Sequence, residues 1–226
     1  MTSTTMLIII SALAGQILAP DRSLATLPIA LMFTATMAAT IPASLFMKRV
    51  GRRVGFTVGA IVGVAAAATG AWGVMAGSLA VFAAGSVMQG VYNAFWQYYR
   101  FAAADAVDEY YKSRAIAYVL AGGIAAALFG PELAKATAGL LDPVHFAGSY
   151  IAMAILALSA IVLLQFIDIP PPGAAERSGS GRPIRRIVAE PTFLIAVLSA
   201  MIGYGAMAFV MTATPLAMNA HAHAFE

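Results

Sequence analysis

Val54-GFTVGAIVGVAAAATGAWGVMAGSLAVFAAGSVMQGVYNAFWQY-Tyr99 is a run of 46 residues without Asp, Glu, Lys, Arg or His, bounded by Arg53 and Arg100. A spanning helix needs about 20 apolar residues, so the run holds two spans and the turn between them. Gly73, Gly77 and Ser78 mark that turn near its middle. Long stretches of Ala, Val, Met and Gly without period-two alternation favour helices over strands, and only helices or closed barrels cross lipid.

The same reading extends outward in both directions. Apolar stretches, uncharged except for Glu132 in the fifth, place helices at 6–19, 27–47, 54–76, 79–98, 115–134, 146–167 and 193–216. The chain is 61% hydrophobic and only 10% charged, too little charge to cover a soluble domain of 226 residues. The fold class is therefore all-α, a polytopic transmembrane bundle of about seven helices. The net charge of +3 is small, and the basic residues sit in short loops between apolar runs. Such placement signals topology rather than phosphate recognition, so no nucleic-acid partner is expected. With no cysteine in the chain, disulfides, thiolate nucleophiles and Cys-ligated metals drop out.

The first segment spans 14 residues, fewer than the roughly 17 needed to cross. No Lys or Arg precedes it, which argues against a signal peptide. It reads as a clipped helix, and the end at 219–226 reads as cut as well. Of the 13 basic residues, Lys48, Arg49, Arg52, Arg53, Arg100, Lys112, Arg114, Arg177, Arg182, Arg185 and Arg186 fall in the loops after the second, fourth and sixth helices. Only Arg22 and Lys135 fall on the other side, which puts the N-terminus in the cytoplasm. Pro170-Pro171-Pro172-Gly173 and the Gly/Ser stretch 178–181 read as a linker. The expected organisation is a six-helix bundle over 1–168, a cytoplasmic linker over 169–190, and the opening helix of a second bundle with an external tail over 191–226.

The connection between the second and third helices reads Ser44-Leu-Phe-Met-Lys-Arg-Val-Gly-Arg-Arg53, a tight turn at Gly51 among the cations Lys48, Arg49, Arg52 and Arg53. It resembles the helix 2–3 loop signature of the major facilitator superfamily: Gly, three residues, Asp-Arg, one residue, Gly-Arg-Arg. Arg49, Gly51, Arg52 and Arg53 match, while Ser44 replaces the Gly and Lys48 the Asp. The resemblance implies a loop that latches two halves of a transporter at the cytoplasmic face; on its own it is a positive-inside loop. Ser86-Val-Met-Gln89-Gly90 is similar to a second family pattern, Arg, two residues, Gln-Gly, with Ser86 in place of the Arg tied to proton coupling. Gln97-Tyr-Tyr-Arg-Phe-Ala-Ala-Ala-Asp105 resembles a segment of bacterial members, which implies a bacterial-type cytoplasmic membrane. Gly122, Gly123, Gly130 and Pro131 partly resemble the antiporter motif that bends the fifth helix, and a proline kinks a helix in any family.

Gln89, Asn93 and Gln97 recur at i, i+4 and i+8 and share one helix face. Amides are costly in hydrocarbon unless they pair or face water. The resemblance implies that the first, fourth and seventh helices line a central cavity, which adds Gln16 and Tyr204 to that stripe. These five residues are the candidate substrate path; the alternative is interhelical hydrogen bonding at about 0.6 kcal/mol per bond. Tyr92, Trp96 and Tyr99 lie on an adjoining face and read as interface anchors. Glu132 and Lys135, at i and i+3, read as a surface ion pair, and Gly55, Gly59 and Gly63 as a close-packing ladder. His221 and His223 sit on a tail without a carboxylate partner, with His145 distant in sequence, so no metal site is assigned. No cofactor is expected.

No nucleophile–base pair or phosphate-binding loop argues for an enzyme. Composition and resemblance together imply a secondary transporter moving a small solute by alternating access, with this chain a fragment inactive alone. Its partners would be the lipid bilayer, a small-molecule solute and the missing C-terminal half, with a coupling ion such as H+ left open. Two other readings stay open: a membrane-embedded binding or assembly subunit, and a half-transporter that dimerises.

Overall fold

Gly51 shows how closely the helices follow one another. It is the single residue between α2 (Leu27–Val50) and α3 (Arg52–Met75) in the computed structural model, which describes residues 2–141, 144, 146–167 and 184–220. The other helices are α1 (Thr2–Leu18), α4 (Leu79–Trp96), α5 (Tyr99–Asp105), α6 (Lys112–Ala138), α7 (Ala147–Phe166), α8 (Ile184–Val188) and α9 (Pro191–Ala220), and no strand occurs among the described residues. The helices α2, α3, α6, α7 and α9 are long and apolar enough to cross a bilayer. At 18 residues, α4 rises about 27 Å. The fold is the all-α polytopic bundle expected from the charge-free runs.

Several boundaries differ from expectation for identifiable reasons. Helix α1 begins at Thr2 rather than at residue 6 and has 17 residues. Counting apolar residues excluded Thr2–Thr5, yet Ser3 is buried and the Thr4 hydroxyl donates to Asn93 of α4 at 2.9 Å. The helix expected over 79–98 is two helices: α4 ends at Trp96, Gln97 and Tyr98 form a turn, and α5 follows. There the Tyr98 N–H reaches the Phe95 carbonyl at 3.1 Å, and its hydroxyl donates to the Thr40 carbonyl at 3.0 Å. Residues 169–183 of the expected linker, His145, and the tail with His221 and His223 lie outside the described residues. The end of that linker forms the short α8.

The turn between α3 and α4 is a Schellman motif. Gly77 takes φ +61°, its N–H bonds the Val74 carbonyl at 3.2 Å, and the Ser78 N–H bonds the Gly73 carbonyl at 2.9 Å. Ser78 then caps α4, its hydroxyl accepting from the Val81 N–H at 3.4 Å. Gly73, read as a turn residue, lies inside α3, where a Cβ would stand 2.7 Å from the Phe82 Cα. It permits close approach of α3 and α4.

In the bundle α4 packs between α2 and α3, α3 also packs on α7, and α1 lies against α6, with α9 touching α1. The ladder Gly55, Gly59 and Gly63 receives side chains rather than a backbone. A Cβ would stand 2.6 Å from Phe95 at Gly59 and 2.9 Å from the Tyr92 ring at Gly63, and at Gly55 it would meet Met47. Tyr92 is consequently buried and Tyr99 packs edge-on to Phe56 at 4.5 Å, so these two rings serve packing instead of interface anchoring. On the outer surface, Tyr118, Ile124, Leu128 and Phe129 of α6 and Ile202 and Phe209 of α9 are largely exposed. An apolar surface of this extent belongs in lipid. The protein is an integral membrane protein.

Candidate functional site

Gly51 holds φ +91° and ψ 157°, a conformation essentially reserved for glycine. Its N–H closes α2 on the Met47 carbonyl at 2.9 Å. The turn delivers two arginines into the first turn of α3, where the helix dipole disfavours cations. Both find acceptors on other helices. Arg52 forms an ion pair with Asp105 at the end of α5. Arg53 donates to the backbone carbonyl of Gln165 at 2.7 Å, in the last turn of α7. The carboxylate that meets this loop thus comes from Asp105, while Lys48 stands at the signature's Asp position and Arg49 is exposed. The paired side chains of Arg52 and Asp105 are 30% and 57% exposed, so the pair is worth at most about 1 kcal/mol. Asp105→Asn is accordingly expected to lower stability by no more than that amount, read as a small Tm shift in detergent.

A recess of about 190 Å³ opens where α1, α2, α4, α5, α6 and α9 converge, lined on its polar side by Thr4, Thr36, Asn93, Gln97 and Arg100. Its apolar walls include Phe33, Trp96 and Tyr204. Asn93 Oδ1 accepts from Thr4 Oγ1 and from Trp96 Nε1, each at 2.9 Å. Two donors converging on one atom fix the amide orientation. Thr36 Oγ1 donates to the carbonyls of Met32 at 2.8 Å and Gly90 at 3.1 Å, tying α2 to α4. Tyr204 packs edge-on to Phe33, centroids 5.8 Å apart. The Arg100 guanidinium lies 5.0 Å from the Phe101 ring centroid, and its buried Nε has no hydrogen-bond partner.

A family model described as Major Facilitator Superfamily matches residues 1–224. The chain belongs to the major facilitator superfamily. It is also 38% identical over 229 residues to a protein named riboflavin transporter RfnT from Brucella anthropi; the match covers 100% of this chain and 57% of that relative. No solved structure matches the chain.

Within this superfamily member the structure gathers three of the five residues read as a substrate path. Asn93, Gln97 and Tyr204 line the recess. Gln89 is 1% exposed beside it, its Nε2 without a partner. Gln16 lies twelve residues beyond Thr4 on α1, about 18 Å along the axis, and does not line the recess. Helix α6 runs through Pro131 from Lys112 to Ala138, and Gly130 seats α1: a Cβ there would stand 3.0 Å from Thr5 Cβ. Glu132 and Lys135 are both exposed, and among the described residues they form no ion pair; at the surface, solvation outweighs so weak an attraction. Sequence pattern alone assigns Arg100 to topology and Trp96 to anchoring, and it carries no signal for Thr4 or Phe33. Only the i, i+4 spacing of Thr36 and Thr40 hinted at a polar side of α2.

Proposed function

We propose that the complete carrier moves riboflavin, or a closely related flavin, across the membrane by alternating access. The observation that carries this is the recess itself: aromatic walls from Phe33, Trp96 and Tyr204 beside Asn93, Gln97 and Arg100. The likeness to a protein named as a riboflavin transporter supports it. A planar heteroaromatic ring gains from aromatic walls, and a few placed polar groups set its orientation. At about 190 Å³ the recess is smaller than the roughly 300–1,000 Å³ of a complete small-molecule site, which fits one wall of a cavity shared by two bundles.

In this reading residues 1–168 form one bundle, 169–190 a cytoplasmic linker, and 191–226 open a second bundle that supplies the facing wall. The N-terminus is cytoplasmic, since 11 of the 13 basic residues then lie on that side. The start of α1 and the end of α4, joined by the Thr4–Asn93 bond, both sit toward that face. The Arg52–Asp105 and Arg53–Gln165 contacts hold the cytoplasmic corner while the bundles rock. The solute is the carrier's small-molecule partner.

The test is riboflavin uptake into proteoliposomes holding the full-length carrier. Saturable uptake is expected, with KM raised about tenfold by Gln97→Ala, the equivalent of one well-formed hydrogen bond. Absence of riboflavin uptake would sink the flavin assignment.

A further inference from the structure

The described polar groups around the recess carry one formal charge, and it is positive. Asn93 Oδ1 is already occupied by Thr4 and Trp96. The Thr4 and Thr36 hydroxyl protons point to Asn93 and to the Met32 and Gly90 carbonyls. No Asp or Glu is among the described residues that line the recess. The Thr4, Thr36 and Tyr204 oxygens can still accept, but the nitrogen donors are the Nδ2 amide of Asn93 and the Arg100 guanidinium, with Gln97 offering one group of each kind, and Arg100 carries the one charge among the described lining residues. A buried donor left without an acceptor costs about 1–3 kcal/mol, so a solute entering here must bring acceptors.

We infer that Asn93 and Arg100 act as a donor pair that selects planar heteroaromatic solutes presenting an acceptor edge and rejects planar cations of similar size. The inference deepens the flavin reading and rests on it. The pyrimidinedione edge of a flavin carries two carbonyl oxygens and a ring-nitrogen acceptor around a single N3–H donor, for which the Gln97 carbonyl is an acceptor. A tricyclic cation carries donors and positive charge to the same place, against a guanidinium that pairs with no carboxylate among the described residues.

The experiment measures riboflavin uptake by the full-length carrier with two competitors. Lumiflavin has the same rings and acceptor edge without the ribityl chain; proflavine is a planar tricyclic cation. In the wild type, lumiflavin is expected to compete and proflavine to leave uptake unchanged. Asn93→Asp keeps the oxygen that Thr4 and Trp96 use but replaces the Nδ2 donor by a charged acceptor. It is expected to raise the riboflavin KM about tenfold or more and to make proflavine an inhibitor. Arg100→Gln provides a second variant at a partly exposed position, expected to raise KM with little change in maximal rate.

A purely packing role for Asn93 does not produce the swap in competitor preference. Equal inhibition by both tricycles in the wild type overturns the donor pair and leaves flavin transport standing. So does a riboflavin KM within about twofold of wild type in both variants. No riboflavin uptake by the wild type overturns both.

Discussion

Gly90→Val is expected to abolish the folded protein. Gly90 lies where α4 crosses α2, and a Cβ there would run into the Met32 carbonyl oxygen and stand 2.8 Å from Ala35 Cβ. The obstruction is backbone, which cannot rotate away as a side-chain tip can. The Gly90 carbonyl also accepts the Thr36 hydroxyl at 3.1 Å, so forcing the helices apart breaks that bond. Overpacking in a core costs typically about 1–3 kcal/mol, and a clash with main chain belongs at or above the top of that range. Gly122 on α6 is the control, because a Cβ there meets nothing within 4 Å. Size-exclusion chromatography and thermal unfolding in detergent should show loss of the monodisperse peak for Gly90→Val and a wild-type profile for Gly122→Ala. A normal Tm for Gly90→Val would mean that α2 and α4 do not cross here.

Gly51→Val is expected to be nearly as damaging, by a different route. The backbone at φ +91° and ψ 157° lies in a region that costs a non-glycine residue about 1–3 kcal/mol. A β-branched side chain stands at the severe end. Because Gly51 alone joins α2 to α3, relief of the strain must rotate one helix against the other and pull Arg52 and Arg53 from Asp105 and Gln165. The expected result is a lower Tm for Gly51→Val, a smaller drop for Gly51→Ala, and a far smaller one for Asp105→Asn. An Asp105→Asn effect equal to that of Gly51→Val would place the stability in the ion pair instead of the turn.

Much of this was legible in the sequence, and what was not has a common cause. The 46-residue charge-free run located α3, α4 and the Gly77–Ser78 turn because bilayer thickness sets helix length directly. Gly51 was legible because few residues other than glycine reverse a chain in one step. The i, i+4 amide stripe pointed to the inner face of α4 by helical geometry alone. Pairing between helices was not legible, since it depends on how one helix slides along another. That register decided that Asp105 meets Arg52, that Tyr92 fills the socket at Gly63, that Gln16 falls away from the recess, and that Arg100 enters it. Thr2–Thr5 joined α1 for the same reason: polar residues paired across helices look like loop to any count of apolar residues.

The most direct test of the central claim, that flavin occupies the recess between α1, α2, α4 and α9, uses the absence of cysteine from this chain. Gln97→Cys, Tyr204→Cys and Gln16→Cys are introduced singly into a full-length carrier otherwise free of cysteine. Labelling by a small thiol reagent is then measured with and without saturating riboflavin. The expected result is that riboflavin slows labelling at Gln97→Cys and Tyr204→Cys and leaves Gln16→Cys unchanged. Labelling at Gln97→Cys and Tyr204→Cys that ignores riboflavin, in a carrier that transports it, would contradict the placement of the substrate in this recess.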